Sequence, residues 1–254
     1  MLLVISPSKT QNFDCRPHGP HTMPVLLEET RHLVDQLKPM NVRQIAALMK
    51  INDRLAKLNW QRYQDFKLPF DLQNARQALL AFRGDVYNQI ATNTYHEADF
   101  TFAQQHLRII SGLYGILKPL DLIQPYRLEM GTRLPTDRGN TLYDFWGPRV
   151  TEALNRDFGK TPEAVLVNLA SQEYAKVLRP DTLIARILNI TFKEKKKGTY
   201  KVIGIHAKRA RGLMTNFVIQ NRLTIPEDLQ AFDHVGYRFN RRLSGAAEWV
   251  FCRG

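Results

Sequence analysis

The chain has 254 residues, of which 44% are hydrophobic and 24% charged, so it is long enough for one sizeable core or at most two small domains. These proportions are ordinary for a globular protein and exclude a wholly disordered one. Its formal net charge of +12 is not ordinary. A field of that sign attracts polyanions, which favours a nucleic-acid partner over a charge that only keeps the protein soluble.

The excess positive charge lies mainly in the last quarter of the chain. Residues 193–254 contain thirteen Lys and Arg against five Asp and Glu, a net of +8. The lysine run at residues 195–197 is typical of a solvated hairpin turn or of a protected strand edge. It adds attraction for a phosphate backbone but does not distinguish one base sequence from another.

Cysteine count and motif content exclude several classes of site. The two cysteines, Cys15 and Cys252, are too few for a disulfide scaffold or a four-thiolate zinc site. The seven histidines show no ligand spacing, and there is no phosphate-binding glycine loop, dinucleotide fingerprint or zinc-protease motif. We therefore predict no metal site and no cofactor. Since no apolar run approaches 18 residues and the first five are too few for a signal peptide, we expect a cytoplasmic protein without a membrane partner.

The first half of the chain predicts one strand followed by helices. Residues 1–5 form an apolar run that predicts a buried strand, and the polar residues 6–10 predict a loop after it. Residues 24–59 carry apolar side chains at helical spacing. Asn41 and Asn52 are the predicted helix caps in that stretch.

The second half changes from helices to strands. A helix over residues 99–110 is followed by a stretch rich in Gly and Pro that predicts loops and short turns over residues 111–147. Beyond it, the pattern predicts strands over residues 164–169, 183–192 and 200–206, a helix over 212–222, and short strands near Tyr237 and Val250. Helices early and strands late predict a single α+β domain over residues 1–254.

One candidate contact for nucleic acid is a glycine-containing turn after the predicted helix 99–110. Helix-hairpin-helix modules use such a turn to bring backbone N–H groups to a phosphate, because glycine lets the backbone approach closely. The alternative is an ordinary helix end, where Gly is common. The spacing is also wider than usual, since two residues rather than one separate the glycines. The candidate DNA-binding residues are Ser111, Gly112, Leu113, Tyr114, Gly115 and Lys118.

A second candidate contact is the basic run Lys208, Arg209 and Arg211, which the pattern places where a strand passes into a helix. Cations are unfavourable at the positive end of a helix dipole. Their position there implies a compensating anion, either a bound phosphate or an internal carboxylate. Both interpretations are open at this stage.

Several predicted loops carry reactive polar side chains. Gathered in one pocket, such groups perform acid–base chemistry, whereas dispersed they form structural salt bridges. No spacing among them identifies a reaction. The candidate catalytic residues are Lys9, Arg83, Asp85, Arg127, Glu129, Asp144, Glu173 and Lys208.

Six segments carry a family pattern in a fixed order along the chain. They are ISPSKT at residues 5–10, FRGDVY at 82–87, FAQQHLRIISGLYGILKPLDLIQPYRLEMG at 102–131, LYDFWG at 142–147, NLASQEY at 168–174 and HAKRARGLMTNFVIQNRL at 206–223. Together they resemble the YaaA family of bacterial peroxide-stress proteins. The similarity covers almost the whole chain, and the central motif is highly specific.

The resemblance implies a single α+β domain of unusual topology, with a mixed sheet, surrounding helices, a positively charged cleft and a helix-hairpin-helix-like element. It implies binding to duplex or distorted DNA, with shape preferred over base sequence. It also implies protection from hydrogen peroxide through a lower level of unincorporated intracellular iron. Placed on this sequence, the hairpin-like turn falls on residues 111–117, and Lys118 follows it.

Two functions compete at this stage. One is a DNA-binding protein of peroxide defence that contacts phosphates through Lys and Arg. The other is an enzyme acting on a nucleic-acid base or nucleotide. Convergence of the charged loop residues on one concave pocket favours the enzyme, whereas scattering of those residues removes it. Direct iron sequestration is a third possibility, although the hard ligands it needs are not clustered in the sequence.

Overall fold

The computed structural model describes residues 1–254. Its strands are β1 (Leu2–Ile5), β2 (Thr10–Gln11), β3 (Arg76–Gln77), β4 (Phe82–Arg83), β5 (Leu107–Ser111), β6 (Gly115–Leu117), β7 (Leu122–Ile123), β8 (Val165–Asn168), β9 (Arg186–Lys196), β10 (Thr199–Lys201), β11 (Arg238–Phe239) and β12 (Glu248–Arg253). Its α-helices are α1 (Leu27–Leu37), α2 (Val42–Met49), α3 (Asp53–Asp65), α4 (Ala78–Ala81), α5 (Glu97–His106), α6 (Leu142–Trp146), α7 (Arg149–Phe158), α8 (Gln172–Ala175) and α9 (Gly204–Asn221).

A mixed sheet of eight strands organises the fold. The strand order is β11–β12–β9–β8–β1–β5–β6, and β10 pairs with β9. The neighbours from β12 through β9, β8 and β1 to β5 are parallel, and the remaining pairs are antiparallel. Because β1 lies between two parallel neighbours, its residues are all buried, as expected for a strand covered on both faces. The predicted α+β class with a mixed sheet and surrounding helices is confirmed.

The amino-terminal helices follow the sequence pattern closely. The Asn41 side chain accepts a hydrogen bond from the Gln44 backbone N–H at 3.0 Å and begins α2. The Asn52 side chain accepts one from the Leu55 N–H at 3.0 Å and begins α3. Both predicted caps are confirmed, because each amide oxygen satisfies a backbone donor that has no partner inside the helix.

The helix predicted over residues 99–110 ends early. Helix α5 stops at His106, and the chain continues directly as β5, in which every residue is buried. Leu107 and Ile109 pair with Leu3 and Ile5 of β1. Apolar residues at steps of three and four also occur in a strand that is buried throughout, and β-branched Ile favours that alternative.

The apolar side chains form one continuous core cluster of 66 buried residues on the faces of the sheet. Trp146 and Tyr114 are among the largest side chains that are fully buried there. None of the helices combines the length and the apolar composition that a membrane-spanning segment needs.

Asp121, in the turn after β6, is a buried carboxyl group. It accepts hydrogen bonds from Thr22 Oγ1 at 2.5 Å and from the Lys118 backbone N–H at 2.7 Å. Burial outweighs these contacts and raises the pKa of Asp121 to about 6. An Asp in an unfolded chain has a pKa of about 3.9. Between those values the folded protein therefore keeps a proton that the unfolded chain has lost.

We expect the free energy of unfolding to fall by roughly 3 kcal/mol between about pH 4 and pH 7 because of Asp121, at about 1.4 kcal/mol for each pKa unit. The sign follows from the raised folded-state pKa, since deprotonation at higher pH leaves a buried charge. Asp121→Asn removes this titration. Urea unfolding of both proteins at the two pH values measures the difference. An identical pH dependence in the variant would contradict the raised pKa.

Candidate functional site

The carboxyl ends of β1 and β8 lie side by side, because these strands are parallel neighbours with Leu3 paired to Val167. Polar loops follow both strands at the same edge of the sheet. The Ser171 backbone N–H donates to Ser6 Oγ at 2.8 Å, and Ser6 Oγ donates to Ser171 Oγ at 3.3 Å. These bonds join the two loops. The carboxyl edge of parallel strands is where open α/β sheets commonly place a ligand.

A third polar segment, residues 83–87, lies against the loop after β1. Strands β2 and β4 pair with Thr10 opposite Arg83, which brings the two segments together. Gly84 has a φ of +109°, and a Cβ there would lie 3.0 Å from Ser8 Oγ, so the turn favours glycine. The Tyr87 hydroxyl donates to the Ser6 carbonyl at 2.9 Å. Burial raises the pKa of Tyr87 well above its usual value, so the phenol keeps the proton it donates.

Helix α9 covers this arrangement from the side. A Cβ on Gly212 would lie 2.0 Å from the Val86 carbonyl oxygen, so only glycine allows the helix to approach the 83–87 segment this closely. Arg211, directly before Gly212, and Lys208, one turn earlier on the helix, line the same space. Arg209 forms an ion pair with Asp85, with Nε and Oδ1 3.3 Å apart.

Together these segments enclose one cavity of about 430 Å³. Its walls come from residues 6–10, residues 83–87, residues 169–174 and the first turns of α9. Cavities of several hundred cubic ångströms are typical of small-molecule sites in proteins. The cavity is therefore a candidate binding or active site.

Glu173 lines the cavity, and a second carboxylate, Glu129, contacts the lining residue Lys9 from outside it. Glu129 bridges two cations, since its Oε2 lies 2.5 Å from Lys9 Nζ and its Oε1 accepts from Arg127 Nη2 at 2.9 Å. Glu173 Oε1 accepts from the Gly131 backbone N–H at 2.9 Å. The second oxygen of Glu173 makes no hydrogen bond within the protein, so it is available to a ligand.

Three cations that line the cavity, Arg83, Lys208 and Arg211, have no carboxylate partner, and Arg83 donates to backbone carbonyls instead. Neither Lys208 nor Arg211 lies within 4.0 Å of an acidic oxygen, whereas Lys9 and Arg209 do. The Arg211 Nε atom is buried and makes no hydrogen bond. Burial lowers the pKa of the Arg211 guanidinium. Arg211 lines the cavity as a cation without a carboxylate partner, which suits an anionic ligand.

A family model described as Peroxide stress protein YaaA matches residues 1–243. The chain belongs to the YaaA family. A UPF0246 protein of Acaryochloris marina (strain MBIC 11017) is 62% identical over 253 residues, which span 100% of both chains. A UPF0246 protein of Cellvibrio japonicus (strain Ueda107) is 49% identical over 254 residues, which span 100% of this chain and 98% of that protein. The family resemblance predicted from the six motifs is confirmed, and the family is one of peroxide stress proteins.

Most of the predicted catalytic residues of this YaaA-family protein lie together. Five of them line the cavity directly, namely Lys9, Arg83, Asp85, Glu173 and Lys208. Glu129 contacts Lys9, and Arg127 contacts Glu129, so both stand directly behind the wall. The Arg83 guanidinium donates to the carbonyls of Leu80 and Phe82 at 2.6 and 2.9 Å, so it also supports its own segment.

Asp144 lies apart from this group. Its carboxylate caps α6, where Oδ2 accepts from the Thr141 Oγ1 and backbone N at 2.7 and 3.0 Å. The hydrogen bond from the Thr141 side chain holds the pKa of Asp144 below its usual value. Asp144 does not line the cavity, and its contacts are those of a helix-capping residue.

The prediction of a helix-hairpin-helix-like element over residues 111–117 is wrong. In this YaaA-family protein the segment is a β-hairpin in which β5 and β6 pair antiparallel. Ser111, Gly112, Leu113, Tyr114 and Gly115 are all buried, so they present no surface to a phosphate. Lys118 follows them in an ion pair with Asp157 at 3.1 Å. The apolar residues around both glycines drive this segment into the core.

The basic run also occupies a different position from the one predicted. Helix α9 begins at Gly204, so Lys208, Arg209 and Arg211 lie inside the helix rather than at its first residue. The strand predicted over residues 200–206 is accordingly short, since β10 ends at Lys201. These cations are therefore not at the positive end of the helix dipole, and their position in the helix does not imply an anion. The reason to expect an anion is instead that Lys208 and Arg211 line the cavity without a carboxylate partner.

Sequence reasoning overlooked Ser6, whose hydroxyl joins the two loops at the centre of the site. The signal was available, because Ser6 directly follows a buried parallel strand, and functional side chains commonly stand at that position. No group of three His, Cys, Asp or Glu side chains is placed to hold a metal ion.

Proposed function

We propose that this protein acts on nucleic acid in peroxide stress. It would bind DNA at the carboxyl edge of the parallel strands and process one base or nucleotide within the cavity. The observation that carries this proposal is the meeting of charged side chains from four separate segments in one cavity of about 430 Å³. A cavity of that size suits a small ligand or one unit of a polymer. Enzymes that act on bases take the target out of the stack into such a pocket.

The cavity contains the groups that proton-transfer chemistry uses. Lys9 and Lys208 carry donor protons, and the second carboxylate oxygen of Glu173 is free to accept one. A general acid or base works when it stands within hydrogen-bonding reach of the reacting atom. These three side chains therefore support a reaction assisted by proton transfer, and we assign them as the candidate catalytic residues.

A second candidate function is DNA binding without chemistry, and a specific feature favours it. Strand β9 continues beyond the last residue that it pairs with β8, and its basic end stands at the same edge of the sheet as the cavity. Five lysines of β9, β10 and their turn form no ion pair and supply sequence-independent attraction for phosphates. They are Lys193, Lys195, Lys196, Lys197 and Lys201.

The cellular outcome that we propose is less oxidative damage through a lower level of unincorporated iron, as the family resemblance implies. DNA binding and iron level are separate observables. Whole-cell electron paramagnetic resonance of chelated iron after a peroxide challenge measures the second one directly. Equal iron levels with and without the protein would contradict this part of the proposal.

Two sets of variants separate the competing functions. The first set combines three substitutions in the hairpin, Lys195→Gln, Lys196→Gln and Lys197→Gln. The slope of log K against log salt for duplex binding should become shallower by up to about 3, because each phosphate contact contributes about 0.9. Lys9→Met with Glu173→Gln should leave that slope unchanged, because it alters only the cavity.

The same variants are then compared for chemistry. Free nucleotides and peroxide-damaged oligonucleotides are incubated with each protein, and mass spectrometry detects any converted base or sugar. We expect the wild type and the lysine variant to convert a substrate and the cavity variant to lose conversion. Duplex binding without conversion would leave DNA binding alone as the function. No duplex or junction binding even at low ionic strength would contradict both.

A further inference from the structure

We propose that the cavity is a binding site for a nucleotide-sized phosphate ester, with the phosphate held between Lys208 and Arg211 and the nucleoside towards Glu173. This inference rests on the proposed function and specifies its ligand. The ligand has two possible sources, a free nucleotide or a single nucleotide drawn out of a strand. The phosphate ester is common to both.

The charge distribution of the cavity locates the phosphate. Lys9 is neutralised by Glu129, and the side chain of Asp85 is occupied by Arg209. Arg83 has no acidic partner either, but its guanidinium donates to two backbone carbonyls of its own segment. Lys208 and Arg211 are therefore the cavity cations with neither an acidic partner nor a side-chain hydrogen bond, and they stand three residues apart on one face of α9. Two adjacent cations in a concave site bind a phosphate strongly, because each forms charge-assisted hydrogen bonds to its oxygens.

The helix backbone at Arg211 is held in place before a ligand arrives. Its neighbour Gly212 packs directly against the Val86 carbonyl, so the helix backbone has little room to shift towards the 83–87 segment. The Arg211 Nε atom is buried without a partner, and the side chain is largely withdrawn from water. A poorly hydrated guanidinium on a fixed backbone loses little hydration on binding an anion, which is one advantage of a preorganised site.

The remaining wall of the cavity suits a nucleoside. Leu169 and Tyr174 are buried and contribute apolar surface to the wall. Glu173 Oε1 is held by the Gly131 N–H, which leaves Oε2 as an acceptor for a base amine or a sugar hydroxyl. A carboxylate fixed in this way distinguishes ligands that carry a donor from those that do not.

The test measures binding of a nucleoside monophosphate, its matching nucleoside without phosphate, and an oligonucleotide that carries one fluorescent base analogue. Arg211→Gln and Lys208→Gln are the cavity variants. Lys208 is exposed, so its variant folds even if the Arg211 variant does not. Lys57→Gln removes the same charge from the exposed side of α3, outside the cavity and the lysine-rich hairpin, and is the matched control. Circular dichroism and thermal unfolding establish that each variant is folded.

We expect the monophosphate to bind and the nucleoside to bind roughly tenfold more weakly or not at all, as is usual for the loss of a charge-assisted hydrogen bond. Lys208→Gln and Arg211→Gln should each weaken binding of the monophosphate by a similar factor, and Lys57→Gln should not. If the free monophosphate does not bind, the fluorescent oligonucleotide decides the source of the ligand. A rise in its fluorescence that Arg211→Gln abolishes shows that the bound nucleotide is drawn out of a strand.

Three results would overturn the inference. Equal affinities for the nucleoside and the monophosphate would show that the cavity has no phosphate site. Duplex binding by wild type and cavity variants alike, with neither monophosphate binding nor a fluorescence change, would refute the nucleotide site while leaving DNA binding intact. Failure to bind any nucleic acid or nucleotide would refute this inference and the proposed function together.

Discussion

Gly112→Ala is expected to destabilise the protein by at least about 3 kcal/mol, the upper part of the range for overpacked cores. A Cβ at this position would lie 2.2 Å from the Leu128 carbonyl oxygen, which belongs to the backbone and has no flexible end to move aside. The same residue accepts a hydrogen bond at its own carbonyl from Trp146 Nε1 at 3.0 Å. Chemical denaturation measures the loss directly.

The matched control is Gly19→Ala, because nothing lies within 4 Å of a Cβ at Gly19 and its φ is not positive. Ala at such a site is neutral or slightly stabilising, since it restricts the unfolded chain. The comparison also separates two roles for Gly112. A variant with wild-type stability and weaker DNA binding would restore the phosphate-contact role that the buried hairpin argues against.

Asp157→Asn is expected to cost about 3–5 kcal/mol, the usual cost of leaving a buried ion without its partner. The Arg108 side chain is 4% exposed and donates from Nε to Asp157 Oδ2 at 2.6 Å. Lys118 Nζ lies 3.1 Å from the other oxygen of the same carboxylate. Without the carboxylate charge, the Arg108 guanidinium remains inside the protein with only carbonyl acceptors.

The pH dependence of this variant provides its control. Burial favours the neutral acid, but the hydrogen bonds and charges of Arg108 and Lys118 outweigh it and hold the pKa of Asp157 below its usual value. A lowered folded-state pKa stabilises the fold above the unfolded value of about 3.9, and this stabilisation is lost as the pH falls through the folded value. The stabilities of wild type and variant should therefore converge below about pH 4. Asp181→Asn, at an exposed carboxylate without an ion pair, should change stability little at any pH.

Local sequence patterns predicted the parts of this fold that depend on neighbouring residues. Asn41 and Asn52 begin helices because each side chain satisfies a backbone donor three residues on. The strand over residues 1–5 follows from a continuous apolar run, which no short-range alternative satisfies as well. The six motifs also sufficed to identify the family.

Local patterns failed where the partner of a segment was distant in the chain. Residues 107–111 carry a spacing that suits a helix, and only their pairing with β1 makes them a strand. Gly112 looked accessible as part of a glycine turn, although it packs against Leu128 and Trp146 in the core. The basic run looked like the start of a helix because the residues before it resemble a strand.

Some features of the candidate site also follow from the sequence, and others follow only from the tertiary structure. The sequence alone determined that this is a basic α+β protein of the YaaA family and which polar side chains its loops carry. Only the tertiary structure decided that Lys9, Glu173 and Arg211 share one cavity and that Asp144 lies outside it. The physical reason is that the cavity depends on the parallel pairing of β1 with β8 and on the contact between Gly212 and Val86, both of which join residues more than a hundred positions apart.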